Sequence, residues 1–200
     1  FKNLSNLRSL WLEKVSTPEL SSIVLENLGK LFIVLCKVND SLVEKVDLAQ
    51  VFPNLFELTL DHCDDLTQLP SSICGMKSLQ NLSLTNCHNL TQLPVELGKL
   101  RSLEILRLYA CPCLKTLPNS ICSMMRLKYI DISQCVNLTC FPEEIGRLVS
   151  LEKIDMRECS MIGYVPKSAV SLQSLRLVIC DEEVSGIWKE VAKPNNAHIQ

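Results

Sequence analysis

The sequence lacks several features that would assign a function directly. No run of 18 apolar residues occurs in its 200 residues, which excludes a membrane-spanning helix of ordinary length. Its 20 basic and 22 acidic residues lack the basic excess typical of nucleic-acid-binding proteins. It contains no glycine-rich phosphate loop, no nucleophile elbow and no ligand pair at zinc spacing. We therefore expect no enzyme activity, no cofactor, no metal, no nucleic-acid partner and no direct membrane insertion.

What the sequence does contain is an internal repeat of constant length. "DDLTQLP" at 64–70 is followed by "HNLTQLP" at 88–94. The first leucine of an L-x-x-L-x-L-like phrase recurs at this same interval, at Leu7, Leu31, Leu55, Leu79, Leu103, Leu127, Leu151 and Leu175. The proline of a Leu-Pro or similar pair recurs too, at Pro70, Pro94, Pro118, Pro142 and Pro166. Such self-similarity predicts one 24-residue structural unit stacked on itself about eight times.

Each unit predicts a short strand followed by a turn and a short helical segment. In the L-x-L alternation, the two leucines face one side of a strand and the residues between them face the other. After the strand, "NLTQLPVELGKL" at 89–100 places an apolar residue at every third or fourth position, with a proline near its start. We predict an α/β fold, a leucine-rich-repeat solenoid with a concave parallel β-sheet and short helices or 3₁₀ turns on its convex side.

The two ends of the chain are less regular than the middle. The solenoid is predicted over residues 1–180, with irregular first and second repeats, and "STPELSSIVLENLG" at 16–29 predicts a convex helix. Residues 181–193 predict a C-terminal capping helix with Asp181 at its N-cap, and 194–200 a flexible tail. Because the chain begins "FKNLSNL" without methionine or a matching cap, we expect it to be a fragment or processed product.

Eleven cysteines are present, and five of them follow the repeat. They occupy the position where other leucine-rich repeats place asparagine, and the predicted ladder consists of Asn39, Cys63, Cys87, Cys111, Cys135 and Cys159. An inward thiol there can donate weakly to backbone carbonyls of the neighbouring coil. Adjacent ladder residues lie close enough to form disulfides, but pairing would leave one thiol over. A stack of reduced thiols favours a cytoplasmic protein.

Two observations leave alternatives open. Four N-x-S/T sequons, at Asn3, Asn81, Asn89 and Asn137, would suit an extracellular protein, although the repeat's own wording accounts for them. His62 and His88 lie beside ladder cysteines and could be imagined as metal ligands. We interpret those cysteines as structural, because neighbouring residues there point in alternate directions.

The concave face is the candidate binding surface, because the core does not dictate its residues. Aromatic and arginine side chains are the anchors to expect in a protein interface. One predicted patch contains Arg107, Tyr109, Tyr129, Asp131, Lys153, Asp155 and Arg157. A second contains Trp11, Ile33 and Leu35. The alternative is that these side chains decorate a solvated sheet, or that the second patch meets an upstream domain.

The phrase CxxLxxLPxxIxxLxxL, clearest over 55–172, resembles the leucine-rich repeats of plant intracellular immune receptors, the NLR proteins. The ending "PKSAVSLQSLRLVICDEEVSGIWKEVAK" is similar to the C-terminus of their helper class, whose coiled-coil-like four-helix and nucleotide-switch domains are not in this sequence. The resemblance implies a non-catalytic protein-interaction module in innate immunity, binding lipase-like immune-signalling heterodimers or a full-length receptor.

The same resemblance implies a cytoplasmic location, from which partners could carry the chain to the nucleus or to the inner plasma membrane. As a truncated chain, it would act as a competitor or antagonist of full-length helper receptors. A generic cytosolic leucine-rich-repeat scaffold and an extracellular receptor ectodomain are the alternative functions.

Overall fold

Nine parallel strands form one sheet in sequence order. We describe it from a computed structural model, which places residues 4, 6–15, 23–38, 46–192 and 197–200. The strands are β1 (Ser9–Glu13), β2 (Lys30–Val34), β3 (Glu57–Asp61), β4 (Asn81–Thr85), β5 (Ile105–Arg107), β6 (Tyr129–Asp131), β7 (Lys153–Asp155), β8 (Leu177–Ile179) and β9 (His198–Ile199). This order confirms the predicted solenoid, in which each unit contributes one strand.

The register of the strands is regular from β3 to β8 and irregular before it. Each strand from β3 to β7 pairs with the residues one full repeat further along the chain. In contrast, Ser9 pairs with Lys30 across a shorter interval than a regular unit, and Lys30 pairs with Glu57 across a longer one. The second unit therefore begins its leucine phrase at the fully buried Leu28, and the assignment of Leu31 to that position was wrong. The short interval from β1 to β2 and the long interval from β2 to β3 together equal two regular units. Steps of regular length back from Leu55 therefore still reach Leu7, the correct first leucine of the first unit.

The convex side carries short helical turns, as predicted. Helix α1 (Leu48–Val51) is capped by Asp47, whose side chain accepts hydrogen bonds from the N–H groups of Ala49 and Gln50. Five 3₁₀ turns follow, at Ser71–Gly75, Leu97–Lys99, Asn119–Ser123, Ile145–Arg147 and Lys167–Ser171. The predicted helix at 16–29 is not found in its described part, 23–29, which is turn and irregular chain; residues 16–22 lie outside the described residues.

The turn that follows each of the strands β1 to β7 has an unusual backbone. One residue there has a positive φ of 51–61° without being glycine, in the series Lys14, Leu35, His62, Asn86, Ala110, Gln134 and Glu158. This left-handed conformation is costly for residues with a Cβ. Its N–H continues the ladder between strands: that of Leu35 donates to the Asp61 carbonyl at 2.8 Å, and that of Asn86 to the Tyr109 carbonyl at 2.9 Å. These hydrogen bonds, together with the buried residues on either side, maintain the turn.

The 3₁₀ turns pack against one another in two alternating ways. A Cβ placed on Gly98 would lie 1.9 Å from the carbonyl oxygen of Ser120, and Gly146 lies equally close to Ser168. At both junctions the glycine N–H donates to the serine Oγ, at 3.0 and 3.1 Å. Cys74, one unit before Gly98, has a side chain at the equivalent position. The turns therefore approach most closely at every second junction.

The C-terminal end of the core is covered by helix α2 (Glu182–Ala192). Its Trp188 is fully buried, lies edge-on to Phe141 with ring centroids 6.0 Å apart, and has Nε1 at 3.1 Å from Met156 Sδ. Asp181 precedes the helix as predicted, and its carboxylate also accepts the Glu158 N–H at 2.8 Å.

The prediction of a flexible tail at 194–200 was wrong for the described residues 197–200. The N–H of His198 donates to the Arg176 carbonyl at 2.8 Å, and that of Gln200 to the Val178 carbonyl at 2.9 Å. These bonds make β9 a parallel partner of β8. The physical reason is that β8 would otherwise present a row of unpaired N–H and C=O groups.

Candidate functional site

The concave face of the sheet consists of three rows of side chains that run across the strands. The first row contains Lys30, Glu57, Asn81, Ile105, Tyr129, Lys153 and Leu177. The second contains Trp11, Phe32, Thr59, Ser83, Arg107, Asp131, Asp155 and Ile179. The third contains Val34, Asp61, Thr85, Tyr109, Ser133 and Arg157. All seven residues of the first predicted patch lie on or directly after β5, β6 and β7, and their role in binding stays a prediction.

Asp131 is the centre of a hydrogen-bond network on β6. Its side chain is almost fully buried, and one oxygen accepts from Arg107 Nε at 3.2 Å and from the Tyr129 hydroxyl at 3.1 Å. The other oxygen accepts from the Ser133 N–H at 3.1 Å and the Ser133 hydroxyl at 2.5 Å. A buried carboxylate needs such partners, and this one holds Arg107 and Tyr129 in place.

Asp155 has the same position on β7 and holds a second arginine. Asp155 is 2% exposed. Its two carboxylate oxygens accept hydrogen bonds from Nε and Nη2 of Arg157 at 2.9 and 2.8 Å. This two-point contact fixes the plane of the guanidinium. Asp131 and Asp155 were predicted as partner-binding residues; both are buried and bound to their arginines, and their role in binding stays a prediction.

Tyr129 lies between two cations. Lys153 Nζ is 4.7 Å from its ring centroid and Arg107 Cζ is 5.7 Å from it, both within the range of cation–π attraction. Burial, followed by the negative charge of Asp131, raises the pKa of the Tyr129 hydroxyl to about 12. Tyr109 is half-buried in the third row, between Thr85 and Ser133. The patch is thus two aromatic rings among three cations.

The second predicted patch needs correction. Trp11 is 60% exposed on the concave face, as expected. Ile33 is fully buried and faces the core, whereas Leu35 lies in the left-handed turn after β2. The physical reason is the irregular register of this unit, which makes Phe32 the outward neighbour of Trp11; their rings stack at 5.1 Å.

Sequence reasoning therefore missed the outward residues of β2, which are Lys30, Phe32 and Val34. Lys30 Nζ pairs with Glu57 at 2.8 Å. A signal was present in the sequence: starting the phrase at Leu28 reproduces the L-x-x-L-x-L spacing and places these three residues outward.

The cysteine ladder lies in the core below the turns. Each thiol is within hydrogen-bonding distance of a carbonyl on the preceding unit: Cys36 to Leu12, Cys63 to Ile33, Cys87 to Leu60, Cys111 to Leu84, Cys135 to Leu108 and Cys159 to Ile132. Asn39, the predicted ladder member of unit two, lies outside the described residues, and Cys36 fills that place. Burial raises the pKa of Cys63 to about 12 and that of Cys135 to about 11, which suppresses the reactive thiolate.

His62 and His88, the two histidines beside ladder cysteines, are bound to carboxylates at the edge of the sheet. His62 Nδ1 donates to Asp61 Oδ1 at 2.9 Å, and His88 Nδ1 donates to Asp64 Oδ1 at 2.8 Å. The neighbouring cysteines point into the core. No group of three metal-ligating side chains occurs within the described ranges.

Asp61 joins β3 to the next unit. Its Oδ1 also accepts from Thr85 Oγ1 at 2.8 Å and Asn86 Nδ2 at 2.9 Å. Burial acts to raise the pKa of Asp61, but the hydrogen bonds from Asn86 and Thr85, with His62 nearby, hold that pKa below its ordinary value. This carboxylate therefore stays ionised near neutral pH.

The sequons have structural neighbours in the stack. Asn89 Nδ2 donates to the Asp64 carbonyl at 2.7 Å, and Asn137 Nδ2 donates to the Pro112 carbonyl at 2.8 Å. Both amides therefore link one repeat to the one before it, which agrees with their origin in the repeat itself. No helix among the described residues is long and apolar enough to cross a bilayer.

Comparison with known proteins agrees with this architecture. Residues 73–151 match the family model "Zer-1-like, Leucine-rich repeats". Disease resistance protein ADR1 of Arabidopsis thaliana is 54% identical over 84 residues, which are 40% of this chain and 10% of that protein. A "Probable disease resistance protein" of the same plant is 60% identical over 82 residues, again 40% of the chain and 10% of the relative. The repeats are homologous to those of plant disease resistance proteins. The chain spans only about a tenth of the length of these relatives.

Solved structures support the solenoid fold alone. The leucine-rich repeat domain of the type III effector XopL superposes with a TM-score of 0.69 at 23% identity, covering 96% of this chain and 75% of that one. Internalin C2 of Listeria monocytogenes superposes with a TM-score of 0.62 at 14% identity, covering 96% and 80%.

Proposed function

We propose that this chain is a non-catalytic protein-binding module of a plant immune signalling protein, and that its docking surface is the concave face of β5 to β7. The observation that carries the proposal is the cluster of Arg107, Tyr109, Tyr129, Lys153 and Arg157 on one open face. Homology of the repeats to disease resistance proteins supports the immune context.

The surface suits a protein rather than a metabolite. Nine strands at about 4.8 Å spacing give a face about 38 Å long. Arginine and tyrosine are enriched among the residues that dominate interface energies. Asp131 and Asp155 hold both arginines in place before binding, so less side-chain entropy is lost when a partner docks.

The resemblance to helper NLR proteins suggests the partner. We propose a lipase-like immune-signalling heterodimer as the protein that docks here. Supplied as a separate chain, the same face would compete with a full-length receptor for that partner and reduce signalling. The concave cluster supports both steps, since a competitor needs the docking face and no catalytic group.

The binding proposal is tested with purified proteins. The chain is immobilised and titrated with a lipase-like heterodimer, beside a concave variant carrying Arg107→Gln, Tyr109→Ala and Lys153→Gln. A control variant carries Lys99→Gln and Arg101→Gln, two exposed cations of the convex side. We expect the concave variant to bind about tenfold more weakly or worse, as for loss of interface anchors, and the control to bind normally.

Equal binding by all three proteins, or equal absence of binding, would contradict the docking proposal. Competition is read separately, by adding the free chain to a preformed complex of the heterodimer with a full-length receptor. Release of receptor by the unmodified chain, and not by the concave variant, is the expected result.

A further inference from the structure

The charges of the patch on β5 to β7 are separated by depth. Two carboxylates and three cations are present, but Asp131 is 6% exposed and Asp155 2%. The side chains of Arg107 and Arg157 are 45% and 57% exposed. A partner therefore meets cations, with the neutralising carboxylates beneath them, and the face that it meets is positive.

The two arginines have different capacities left for a partner. Arg157 already uses Nε and Nη2 on Asp155. Arg107 is bound to Asp131 through Nε at 3.2 Å and contacts the Tyr129 hydroxyl, but its side chain is 45% exposed and a guanidinium carries five N–H donors, more than these contacts use. Paired N–H groups of this kind match the two oxygens of a carboxylate.

Lys153 supplies the second point of contact. Its ammonium lies over the Tyr129 ring at 4.7 Å, and none of the salt bridges found among the described residues involves it. Covering this ammonium and Arg107 with an uncharged protein surface would remove their water without replacing it, at a cost. Carboxylates on the partner would supply acceptors for both.

The spacing of the two cations defines the ligand further. Arg107 Cζ and Lys153 Nζ lie 5.7 and 4.7 Å from the same Tyr129 ring centroid, so the two charged groups are at most about 10 Å apart. Towards the N-terminal end the face carries the partly exposed carboxylate of Asp61 on β3, which disfavours an acidic ligand there. An acidic ligand is therefore drawn to β5–β7 and repelled from β3.

We propose that this surface recognises an acidic segment of its partner protein, in which two carboxylates at most about 10 Å apart bind Arg107 and Lys153 while the segment packs beside Tyr129. This inference rests on the proposed function and adds the chemistry of the docked segment to it.

The test uses random dodecapeptides displayed on phage as the probe and the whole chain as the target. The unmodified chain is compared with Lys153→Glu, which reverses the charge, and with Lys153→Arg, which keeps it. Lys99→Glu on the convex side is the matched control. Thermal unfolding of each variant checks its fold, and Lys153→Gln replaces the glutamate variant if that one is unstable.

We expect peptides selected by the unmodified chain, by Lys153→Arg and by Lys99→Glu to be enriched in aspartate and glutamate. Selection by Lys153→Glu should lose this enrichment, and the selected peptides should bind that variant about tenfold more weakly, with a marked dependence on salt. Absence of acidic enrichment on the unmodified chain, or its persistence with Lys153→Glu, would overturn the inference.

The two proposals fail separately. If the heterodimer binds through the concave face but no acidic peptides are selected, the proposed function stands and the acidic segment is wrong. If acidic peptides are selected through Lys153 but the heterodimer does not bind, the charge recognition stands and the proposed partner is wrong.

Discussion

The two tryptophans of the chain lie at opposite ends of the sheet and in opposite surroundings. Trp11 on β1 is 60% exposed and stacks on Phe32, whereas Trp188 on α2 is fully buried against Phe141 and Met156. A tryptophan side chain is therefore exposed on the surface at the N-terminal end and buried in the core at the C-terminal end. In a solenoid, burial is provided by the neighbouring unit, so identical residues can differ completely in what they stabilise.

The leucines of the two ends show the same difference. Leu7, Leu10 and Leu12 of the first unit are only partly buried, because β1 has a neighbouring unit on one side in the described structure. Leu175 and Val178 of the last unit are at most 1% exposed, covered by α2 and β9. Among the described residues, the last unit is covered by α2 and β9, whereas the first unit is covered by a neighbouring strand on one side.

Truncating the tryptophans should give the largest contrast. Trp188→Ala removes a fully buried side chain and should lower the free energy of unfolding by about 3–5 kcal/mol. Trp11→Ala removes a largely exposed ring and its stacking on Phe32, and should cost only about 0.5–1.5 kcal/mol. Urea denaturation followed by circular dichroism measures both changes. Similar losses in the two variants would contradict the difference between the ends.

Glycine-to-alanine substitutions should destabilise a regular unit more than an irregular one. Gly98→Ala forces a Cβ to within 1.9 Å of a backbone oxygen, and we expect a loss of about 1–3 kcal/mol. In the second unit, the Cβ of Gly29→Ala would meet the Phe56 ring, a side chain that can move, so its loss should be smaller. Gly163→Ala, with nothing within 4 Å, is the control. Thermal unfolding should rank the variants in this order, and an unaffected Gly98→Ala would refute the close packing.

Alkaline titration tests the environment of Tyr129, at the centre of the cation cluster on the concave face, which has no counterpart on β1 to β3. The pKa of Tyr129 is raised to about 12 in the folded chain from an ordinary value of 10.0, so the folded state favours the neutral hydroxyl. This contribution is complete below pH 10 and is lost as the pH rises through about 12. Tyr129→Phe should therefore lose less stability than the unmodified chain over that interval. Denaturation curves along the pH range measure it, and parallel curves would argue against the Asp131 contact.

Acid titration should give the smallest effect, at the boundary between irregular and regular units. The pKa of Asp61 is held below its ordinary value of 3.8, so its stabilising contribution is present above that value and is lost as the pH falls further. The stability difference between the unmodified chain and Asp61→Asn should be present near neutral pH and shrink in acid. Thr85→Val, which removes one donor, should show part of the difference. A constant gap would mean that the carboxylate charge is unimportant.

The regular units could be predicted from the sequence because each apolar position meets the same position of its neighbours. Strand order, convex turns and the ladder cysteines from Cys63 onward follow from that rule. The second unit was ambiguous, since "LFIVL" at 31–35 is apolar throughout and its alternation alone does not choose between the two faces. The backbone register selects the phrase that starts at Leu28, with Phe32 facing outward and Ile33 inward.

The sequence predicted which residues lie on the candidate face, but not how deeply each side chain is buried. Spacing alone placed Arg107, Tyr129, Lys153 and Arg157 on one face, because strand residues alternate between sides. It could not show that Asp131 and Asp155 would be covered by arginines, since that depends on side-chain conformation. The left-handed turns were also invisible, because Lys14, Leu35 and Ala110 are not residues that favour a positive φ.

The close approach of Gly98 to Ser120, and of Gly146 to Ser168, has a consequence for how this chain can lengthen or shorten. Deleting the 24 residues that follow Gly98, the length of one repeat, would bring Glu144, not a serine, to the place of Ser120 beside the glycine N–H. Deleting or duplicating two adjacent units restores a serine at that place. The fold should therefore tolerate insertion or deletion of two repeats better than of one. On this view the unit of duplication is a pair of adjacent repeats.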